Sequence, residues 1–408
     1  MSATAAHRPV VITGWGAVSS AGAGRDAHAQ AFAAGGPRLQ PIDRSAGYHR
    51  PHGARLGALV DSSDCGTWLP PRAARRMSPP SRYAVVAARQ ALEQAGLEGD
   101  LAATAVVTST SFGPSSFTEE LLRQILLDGP QDASPALFTE AVANAPAAQI
   151  ALAAKARGPN LTLTQREAGP LLALARGAEE VAKGRAERAL VASVDELNPI
   201  LHAVLDRYGA LAGSRGGDEI ARPFDRDRRG AHASEGATCV VLESADEASR
   251  RGAEVLARVG PTIAGFDAAA PRVGWGRDPS TLARVLARGL ERAAIDPHSI
   301  GLVAAGAAGS RAGDRLDALV LRQVWEERPL PTVLVPKAYA GEHGGALLAG
   351  TLVALDGAPL APTPGFRHVD PSLDVVPFAG GIVPRPHRLL LSALAPGGSA
   401  AWTILETP

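Results

Sequence analysis

The chain has 408 residues, of which 46% are hydrophobic and 20% charged, with 41 basic and 41 acidic side chains. This length predicts either two domains or one large α/β unit, whose core needs no disulfide or metal for stability. The zero net charge argues against a generally basic surface that binds nucleic acid. The two cysteines, Cys65 and Cys239, are too few for a disulfide scaffold and lack the spacing of a structural zinc site.

The sequence shows no pattern for export or membrane insertion. Met1–Val11 has no apolar stretch long enough for a signal peptide, and no run of 18 apolar residues occurs elsewhere. We therefore expect a cytoplasmic protein in a reducing compartment, with no membrane partner.

Strand and helix patterns alternate along the chain, with an extended loop region over residues 35–80. The first strand pattern, Val10–Thr13, is followed by Gly14 and Gly16, which predict that the strand stops in a tight turn. A dinucleotide-binding fingerprint is the weaker interpretation here, because the third glycine is missing. The further predicted strands are Ala105–Thr110, Leu161–Thr164, Leu190–Ser193, Cys239–Glu243, Ala257–Phe266, Leu302–Ala305 and Thr332–Val335. The predicted helices are Tyr83–Leu97, Glu119–Leu127, Pro170–Lys183, Thr281–Ile295 and one around Gly344–Ala354.

The second half of the chain repeats the pattern of the first. Helix Thr281–Ile295 resembles helix Tyr83–Leu97, and similar strands and a further helix follow each of them. Alternating strands and helices predict α/β layers with buried sheets. The duplication predicts two similar halves with a site at their seam, and we expect them to span residues 1–250 and 251–408.

Four segments, in this order and spacing, resemble the β-ketoacyl synthases of the thiolase-like fold. The segments are VVITGWGAVSS (10–20), GPNLTLTQREAG (158–169) followed by a helix and LVASVDE (190–196), PFDRDRRGAHASEGATCVVLE (223–243) and VPKAYAGEHGGA (335–346). The resemblance extends from about residue 10 to residue 405, and the third segment is its most specific part. It implies a five-layer α-β-α-β-α architecture of two similar halves with mixed sheets, which agrees with the repeat.

The resemblance also implies a condensing mechanism, from which this sequence departs. In the family, a cysteine at a strand-to-helix elbow carries the acyl chain, and two histidines assist decarboxylation of the malonyl group. Glu167 stands at the expected cysteine position, Gly306 and Glu342 stand at the expected histidine positions, and Lys337 is retained. Neither cysteine of the chain lies at the elbow, so we expect no condensing catalysis from this chain alone.

The loss of all three condensing residues is typical of the chain length factors, which are the ketosynthase β subunits of type II polyketide synthases. These subunits usually carry glutamine at the cysteine position, and glutamate keeps its size and shape. The resemblance implies a subunit that pairs with an active ketosynthase, shapes the acyl or polyketide channel, works with an acyl carrier protein and needs no cofactor or metal. The basic stretch Arg72–Arg76 is a candidate carrier-protein patch, and a solvated loop explains it equally well.

Two catalytic alternatives remain open. The chain could decarboxylate malonyl-carrier protein for priming, although the loss of both histidines counts against this role. Glu167 and Glu342 could also face one cavity and act as an acid/base pair, with His343 as a further base. The non-catalytic interpretation makes Glu167 a polar plug of an inactive pocket, held by Arg166 or Lys337.

The segment that the family uses at its subunit interface corresponds here to residues 109–117, helix Glu119–Leu127 and residues 138–144. In chain length factors this segment closes the far end of the channel. An aromatic side chain there would stop a growing chain and a serine would let it extend, while ordinary interface packing is the alternative. The channel or interface candidates are Phe112, Ser115, Ser116, Phe117 and Phe138.

Overall fold

The computed structural model describes residues 8–45, 47–48, 51–99 and 101–408. Most of Met1–Val11, where no signal peptide is expected, lies outside the described residues. The strands are β1 (Val10–Ser19), β2 (Gly22–Ala23), β3 (Gln40–Pro41), β4 (Leu56–Gly57), β5 (Thr104–Thr110), β6 (Asn160–Thr164), β7 (Arg188–Asp195), β8 (Gly236–Ser244), β9 (Ala257–Phe266), β10 (Leu302–Ala305), β11 (Thr332–Leu334), β12 (Pro359–Leu360), β13 (Gly381–Ile382), β14 (Arg388–Leu394) and β15 (Ser399–Glu406). The α-helices are α1 (Arg25–Ala34), α2 (Pro71–Ala74), α3 (Pro79–Gln94), α4 (Ser115–Leu127), α5 (Pro135–Glu140), α6 (Ala145–Ala154), α7 (Gly169–Ala182), α8 (Pro199–Arg207), α9 (Ala245–Arg250), α10 (Ser280–Arg292), α11 (Arg311–Trp325), α12 (Lys337–Ala340) and α13 (Ala346–Leu355). Short 3-10 helices cover Ser62–Cys65 and Pro297–Ser299.

One continuous mixed sheet contains eleven strands of the described residues. Its order is β11-β10-β14-β15-β9-β1-β8-β7-β5-β6, and β2 pairs with β1 off this path. From either end inward, three parallel strands are followed by two strands that are each antiparallel to the preceding one. The two halves of the sheet therefore have the same topology, which confirms the predicted duplication.

Helices cover and separate these two halves. Helices α3 and α6 pack against strands of the first half, while α10 and α11 pack against strands of the second. Helices α7 and α13 lie between the halves, since each contacts strands of both, and every residue of α13 is buried. The expected five-layer α-β-α-β-α architecture is confirmed. Among the described residues, no helix combines the length and hydrophobicity needed to cross a membrane.

Strands β1 and β9 join the two halves of the sheet through three residue pairs, the last of which involves Ile12. Beyond this point, Gln94 and Gln90 of α3 accept the backbone N–H groups of Trp15 and Ala17 instead. From Trp15 onward, β1 therefore bonds to α3 of the first half rather than to β9 of the second half. The expected division at residue 250 falls between β8 and β9 and stays a prediction.

The prediction that the first strand stops after Thr13 in a tight turn is wrong. Strand β1 continues to Ser19 and passes through both glycines, with an irregular register between Ile12 and Gly14. A Cβ atom on Gly14 or Gly16 would overlap backbone carbonyl oxygens of α3. The glycines therefore allow α3 to lie directly on the strand, and they form neither a turn nor a dinucleotide-binding loop.

The other predicted elements are present, although several ends are shifted. Strand β9 matches its predicted bounds, whereas the helix expected at Tyr83–Leu97 begins at Pro79, because proline fits the first turn of a helix. The loop region 35–80 contains only short elements. The sequence patterns missed α1, α6, α8, α11, β14 and β15. Helix α6, for example, is almost entirely apolar, so no periodicity marks its faces.

Replacing Gly16 with alanine should lower the free energy of unfolding by about 1–3 kcal/mol, because the added methyl group must displace α3 or β1. Gly66→Ala is a suitable control, since Gly66 has ordinary right-handed helical backbone and a looser surrounding. It should change that free energy by less than about 1 kcal/mol. Urea unfolding measures both variants, and equal losses would contradict the close-packing role of Gly16.

Candidate functional site

A cavity of about 920 Å³ lies between the two halves of the molecule. Residues from both halves line it, among them Glu167, Gly306 and Glu342. Tyr208 and Val273 are exposed at this cavity, whereas the side chains of Glu167 and Glu342 are only 14% and 27% exposed. The three positions at which the resemblance expects the condensing residues therefore surround one space.

Glu167 and Glu342 occupy equivalent places in the duplicated fold. Glu167 lies in the elbow between β6 and α7, and Glu342 lies in the elbow between α12 and α13. Helices α7 and α13 are the two central helices, and the N-terminus of each carries partial positive charge. A carboxylate is therefore compatible with either elbow, and the duplication explains why two acidic side chains face one cavity.

Lys337 supplies the counter-charge for Glu342. Nζ of this buried lysine lies 2.7 Å from Oε1 of Glu342. Burial alone would lower the pKa of Lys337, but the attraction of Glu342 and Glu167 outweighs it and raises that pKa. The lysine is therefore charged, and removing either member of the pair would leave an uncompensated charge in the interior.

Glu167 has weaker compensation than Glu342. Nη2 of Arg166 lies 3.5 Å from Oε1 of Glu167, whereas Oε2 is buried without a hydrogen-bond partner among the described residues. Burial raises the pKa of Glu167, and the nearby charge of Glu342 raises it further, against the smaller opposing effects of Arg166 and Lys337. Arg166, rather than Lys337, is the cation that directly contacts Glu167.

His343 lines the same cavity but is poorly suited to act as a base. Its ring is buried, and Nδ1 shares a 2.9 Å hydrogen bond with Oγ of Ser234. Burial, reinforced by the charges of His28 and Lys337, lowers the pKa of His343 to about 3. An imidazole with this pKa stays neutral near pH 7 and takes up a proton only reluctantly.

Gly306 follows β10 at a place with no room for a side chain on the present backbone. A Cβ atom on Gly306 would lie 2.7 Å from the carbonyl oxygen of Ser392 on β14. Two buried aspartates fix the surrounding chain: Asp314 accepts the N–H group of Gly309, and Asp317 accepts the hydroxyl of Ser392 at 2.7 Å. The backbone around Gly306 is therefore held in a form that excludes a histidine.

Asp195 and Glu196, at the end of β7, also line the cavity; they end the stretch LVASVDE (190–196) of the resemblance, which assigned them no role. The carboxylate of Asp195 accepts the N–H groups of Ser111 at 2.7 Å and Gly344 at 2.9 Å. It thereby connects the end of β5 to the elbow that contains Glu342. Burial raises the pKa of Asp195, while these N–H bonds oppose the shift. The sequence signal for both residues was the LVASVDE stretch, in which two adjacent acidic residues end an apolar strand.

Ser115 and Ser116 begin α4 and bind Glu196. Oγ of Ser115 donates to this carboxylate at 2.7 Å and Oγ of Ser116 at 3.0 Å, and the N–H group of Ser116 donates to it as well. The two hydroxyl groups are therefore engaged within this chain. Their proposed role in leaving room for a growing acyl chain stays a prediction.

The three phenylalanine candidates have different surroundings. Phe112 lines the cavity and is 45% exposed, and the guanidinium of Arg166 lies 5.6 Å from its ring centre. Phe117 is partly buried on α4, and Phe138 is exposed on α5. Only Phe112 among them belongs to the cavity, and the assignment of all three to a channel stays a prediction.

Neither cysteine lines the cavity. Cys65 ends a short 3-10 helix and Cys239 lies in β8, and both are buried and free. Burial raises the pKa of the Cys65 thiol to about 11, and it also raises the pKa of Cys239. A thiol that stays protonated near neutral pH is a poor nucleophile, so neither residue replaces a thiol at the elbow.

The most specific segment of the resemblance, residues 223–243, has a structural role. Its Asp225 is buried and accepts the backbone N–H groups of Arg367 and His368, both at 2.6 Å. Asp225, Asp227 and His368 bring three potential metal-ligand atoms close together. Because backbone N–H groups already bind the carboxylate of Asp225, this cluster is explained as a connection between two loops.

Proteins of one family match most of the chain. Residues 7–248 match the family model for the β-ketoacyl synthase N-terminal domain. The ketoacyl synthase β subunit of the tetracenomycin polyketide synthase from Streptomyces glaucescens is 31% identical over 91% of both chains. Nodulation protein E of Rhizobium meliloti is 27% identical over 79% of this chain and 80% of its own. The solved ishigamide ketosynthase/chain length factor is 28% identical, covers 99% of this chain and 100% of its own, and has a TM-score of 0.86.

The duplicated five-layer fold, with two elbows facing one cavity, defines a thiolase-like protein. The chain belongs to the β-ketoacyl synthase family. Within that family it is similar to proteins named as ketosynthase β subunits or chain length factors of polyketide synthases.

Lys337→Met should destabilise the protein by about 2–4 kcal/mol, because Glu342 loses its partner. The double variant K337M/E342Q should recover at least half of this loss, since no unpaired charge remains. Arg123→Met, which removes the exposed partner of Glu120, is the control and should cost at most about 1 kcal/mol. Chemical denaturation measures all three, and a double variant no more stable than K337M would contradict the charge-compensation role.

Asp317 should make the stability of the protein depend on pH. Burial raises its pKa from the ordinary 3.8 to about 6 in the folded chain. Between these values the folded state binds more protons than the unfolded state, so this group should lower the free energy of unfolding by about 2 kcal/mol from pH 4 to pH 7. Asp317→Asn should remove that contribution, whereas Asp132→Asn on the surface should not. Urea unfolding at both pH values measures this contribution. Equal losses of stability between pH 4 and pH 7 in Asp317→Asn and the wild type would contradict the role of Asp317.

Proposed function

We propose that this chain is a chain length factor of a type II polyketide synthase, a ketosynthase-like subunit without the condensing cysteine. It pairs with an active ketosynthase, which supplies the thiol, and it shapes the channel that receives the growing acyl or polyketide chain. An acyl carrier protein delivers the building blocks. In this proposal the subunit uses no cofactor or metal, works in the cytoplasm and consists of two halves, residues 1–250 and 251–408.

The observation that carries this proposal is Glu167 in the elbow before α7. A carboxylate that accepted an acyl group would form a mixed anhydride, which water hydrolyses, so it cannot store a growing chain as a thiol does. Gly306 offers no side chain, and Glu342 is neutralised by Lys337 rather than free to act. The cavity thus has the shape of a condensing site without the groups that condensation requires.

A free sheet edge supports the presence of a partner subunit. Strand β6 is the last strand at one end of the sheet, and no other strand of the described residues pairs with its outer edge. At the opposite end the chain covers β11, where the N–H group of Phe378 donates to the carbonyl of Val333 at 2.8 Å. An unpaired edge readily accepts another chain, so the difference between the two ends favours a partner at β6.

Exposed apolar side chains lie near that edge. They include Leu126 and Leu127 at the end of α4, Phe138 on α5 and Leu152 on α6. Helix α6 packs against β5 and β6, and α5 leads directly into α6. Clusters of exposed apolar residues are typical of protein–protein interfaces. Together with the free edge they support the sister ketosynthase as the partner.

Basic residues at α2 support a carrier-protein contact on this subunit. Arg72, Arg75 and Arg76 of the stretch Arg72–Arg76 are exposed. Carrier proteins are acidic, so these side chains would attract one electrostatically.

The alternative is an enzyme on the same fold, either a malonyl-carrier-protein decarboxylase or an acid/base catalyst. In its favour, Glu167 and Glu342 line one cavity, and the pKa of Glu167 is raised. Against it, Glu342 is paired with Lys337, and the lowered pKa of His343 makes that residue a weak base. The chain length factor is therefore the better-supported function.

Co-expression with a sister ketosynthase should yield a stable heterodimer that makes polyketide from malonyl-carrier protein. Cys65→Ala and Cys239→Ala in this chain should leave product yield within about twofold, because neither thiol is a nucleophile. Replacing the elbow cysteine of the sister by alanine should abolish product. Release of carbon dioxide from malonyl-carrier protein by this chain alone, or loss of product in a folded Cys65→Ala heterodimer, would contradict the proposal.

Phe112→Ala and Phe117→Ala should lengthen the product of the heterodimer by at least one extension unit, because each removes a large side chain from the segment expected to close the channel. Phe266→Ala, on the exposed face of β9, is the control and should leave product length unchanged. Mass spectrometry of the released products measures the length. An unchanged product length in both test variants would contradict the stop role of this segment.

A further inference from the structure

A groove beside the C-terminal half of helix α7 has no role in the function proposed above. Its volume is about 630 Å³, which is in the range of small-molecule sites, and no residue lines both this groove and the cavity at the elbows. The start of β1 and α7 line it from the first half of the molecule, while β9, the start of β14 and the end of β15 line it from the second. The groove therefore lies where β1 and β9 join the two halves.

Small and apolar side chains line much of this groove. Helix α7 contributes Ala175, Ala178 and Ala182, which share one face of the helix because they are three and four residues apart. Val259 and Ile295 add larger apolar groups from the second half. The alanines leave space that longer side chains would fill, so the groove has room for an occupant with an apolar body.

Two arginines that line the groove have no partner for their charge. Arg8 and Arg258 are both exposed, and among the described residues neither side chain forms a hydrogen bond or an ion pair. A guanidinium is always charged and presents its N–H donors in a planar fork that matches the oxygens of a phosphate or carboxylate. The groove therefore offers two free anion-binding groups, one from each half of the molecule.

The acidic side chains of the groove are neutralised by other cations. Nε of Arg388 donates to Oε1 of Glu406 at 2.9 Å. Glu179 pairs with Arg176 at 3.1 Å and also with Lys183. Because these carboxylates are already paired, Arg8 and Arg258 leave the groove locally positive, although the net charge of the chain is zero.

A small organic phosphate fits these features together. A phosphate monoester carries a charge of about −1.5 to −2 near pH 7 and three acceptor oxygens, so it can bind two guanidinium groups at once. A carboxylate brings only one charge, and an uncharged molecule would leave both arginines unpaired. The organic part of the molecule would cover the apolar side chains of the groove, which free phosphate cannot do.

We infer that this groove binds a small organic phosphate non-covalently, with the phosphate held by Arg8 and Arg258 and the apolar body against the alanines of α7. Such a ligand would contact both halves of the molecule, which β1 and β9 join through only three residue pairs. No residue of either elbow or of β6 lines the groove, so the site goes beyond the chain length factor role and does not depend on it.

Calorimetric titration of the full-length chain with 1-naphthyl phosphate, 1-naphthoate and inorganic phosphate tests the head group and the body separately. At pH 8, 1-naphthyl phosphate should bind at least about tenfold more tightly than either of the other probes, because each of them lacks one of the two features. Tighter binding of 1-naphthoate would assign the groove to carboxylates, and equal binding of inorganic phosphate would remove the role of the apolar body. Either result, or no binding of 1-naphthyl phosphate, would overturn the inference.

Substitution of each arginine tests where the phosphate lies. Arg8→Gln and Arg258→Gln should each weaken the binding of 1-naphthyl phosphate at least about fivefold. Arg288→Gln is the matched control, because this arginine of α10 is exposed and lies outside the groove. It removes the same charge from the chain and should keep the affinity within about twofold. Thermal unfolding verifies that each variant is folded.

An unchanged affinity in folded Arg8→Gln or folded Arg258→Gln would overturn the assigned site. An equal loss in Arg288→Gln would also overturn it, because the binding would then depend only on the overall charge of the chain. A failure of this inference would leave the heterodimer and its product unaffected. Conversely, binding of 1-naphthyl phosphate to the chain alone would stand even if no sister ketosynthase joined it.

Discussion

The ammonium group of Lys337 keeps the centre of this molecule electrostatically balanced. The duplicated fold directs the N-terminal ends of two buried helices at one cavity, and each elbow carries a glutamate. Two ionised carboxylates in such a place would repel each other strongly. Lys337 neutralises Glu342 directly, while burial and the charge of Glu342 raise the pKa of Glu167. The two glutamates have different environments because Lys337 contacts Glu342 and Arg166 contacts Glu167.

The fold of the β-ketoacyl synthase family is present here, with a glutamate in each of the two elbows. Asp195 and Asp225 still bind backbone N–H groups across distant loops, and Asp314 fixes the chain after β10. These contacts hold backbone rather than substrate, and those of Asp195 and Asp314 do so at the wall of the cavity. The backbone at Gly306 lies against β14, so a side chain does not fit there on the present backbone. These features are compatible with the proposed role as a subunit that depends on a catalytic partner.

The sequence pattern alone predicted those helices and strands whose apolar residues repeat with one clear period. The helix α3 and the strand β9 are examples, and the repeat of such elements predicts the duplication itself. The patterns failed at Gly14 and Gly16, because a glycine that admits a neighbouring helix looks the same in sequence as a glycine that turns the chain. Helix α6 was missed for another reason, since uniformly apolar residues show no period. In both cases the deciding contact comes from a part of the chain far away in sequence.

The sequence by itself determined the family resemblance, the two similar halves and the identity of the residues in the two elbows, Glu167 and Glu342. It also showed that neither cysteine could serve at an elbow. Only the tertiary structure decided that Lys337 pairs with Glu342 while Arg166 contacts Glu167, and that Glu196 binds the serines of α4. The reason is physical: residue identity is local, whereas burial and the choice of partner arise when two halves of the chain, each folded from its own segment, pack around a common cavity.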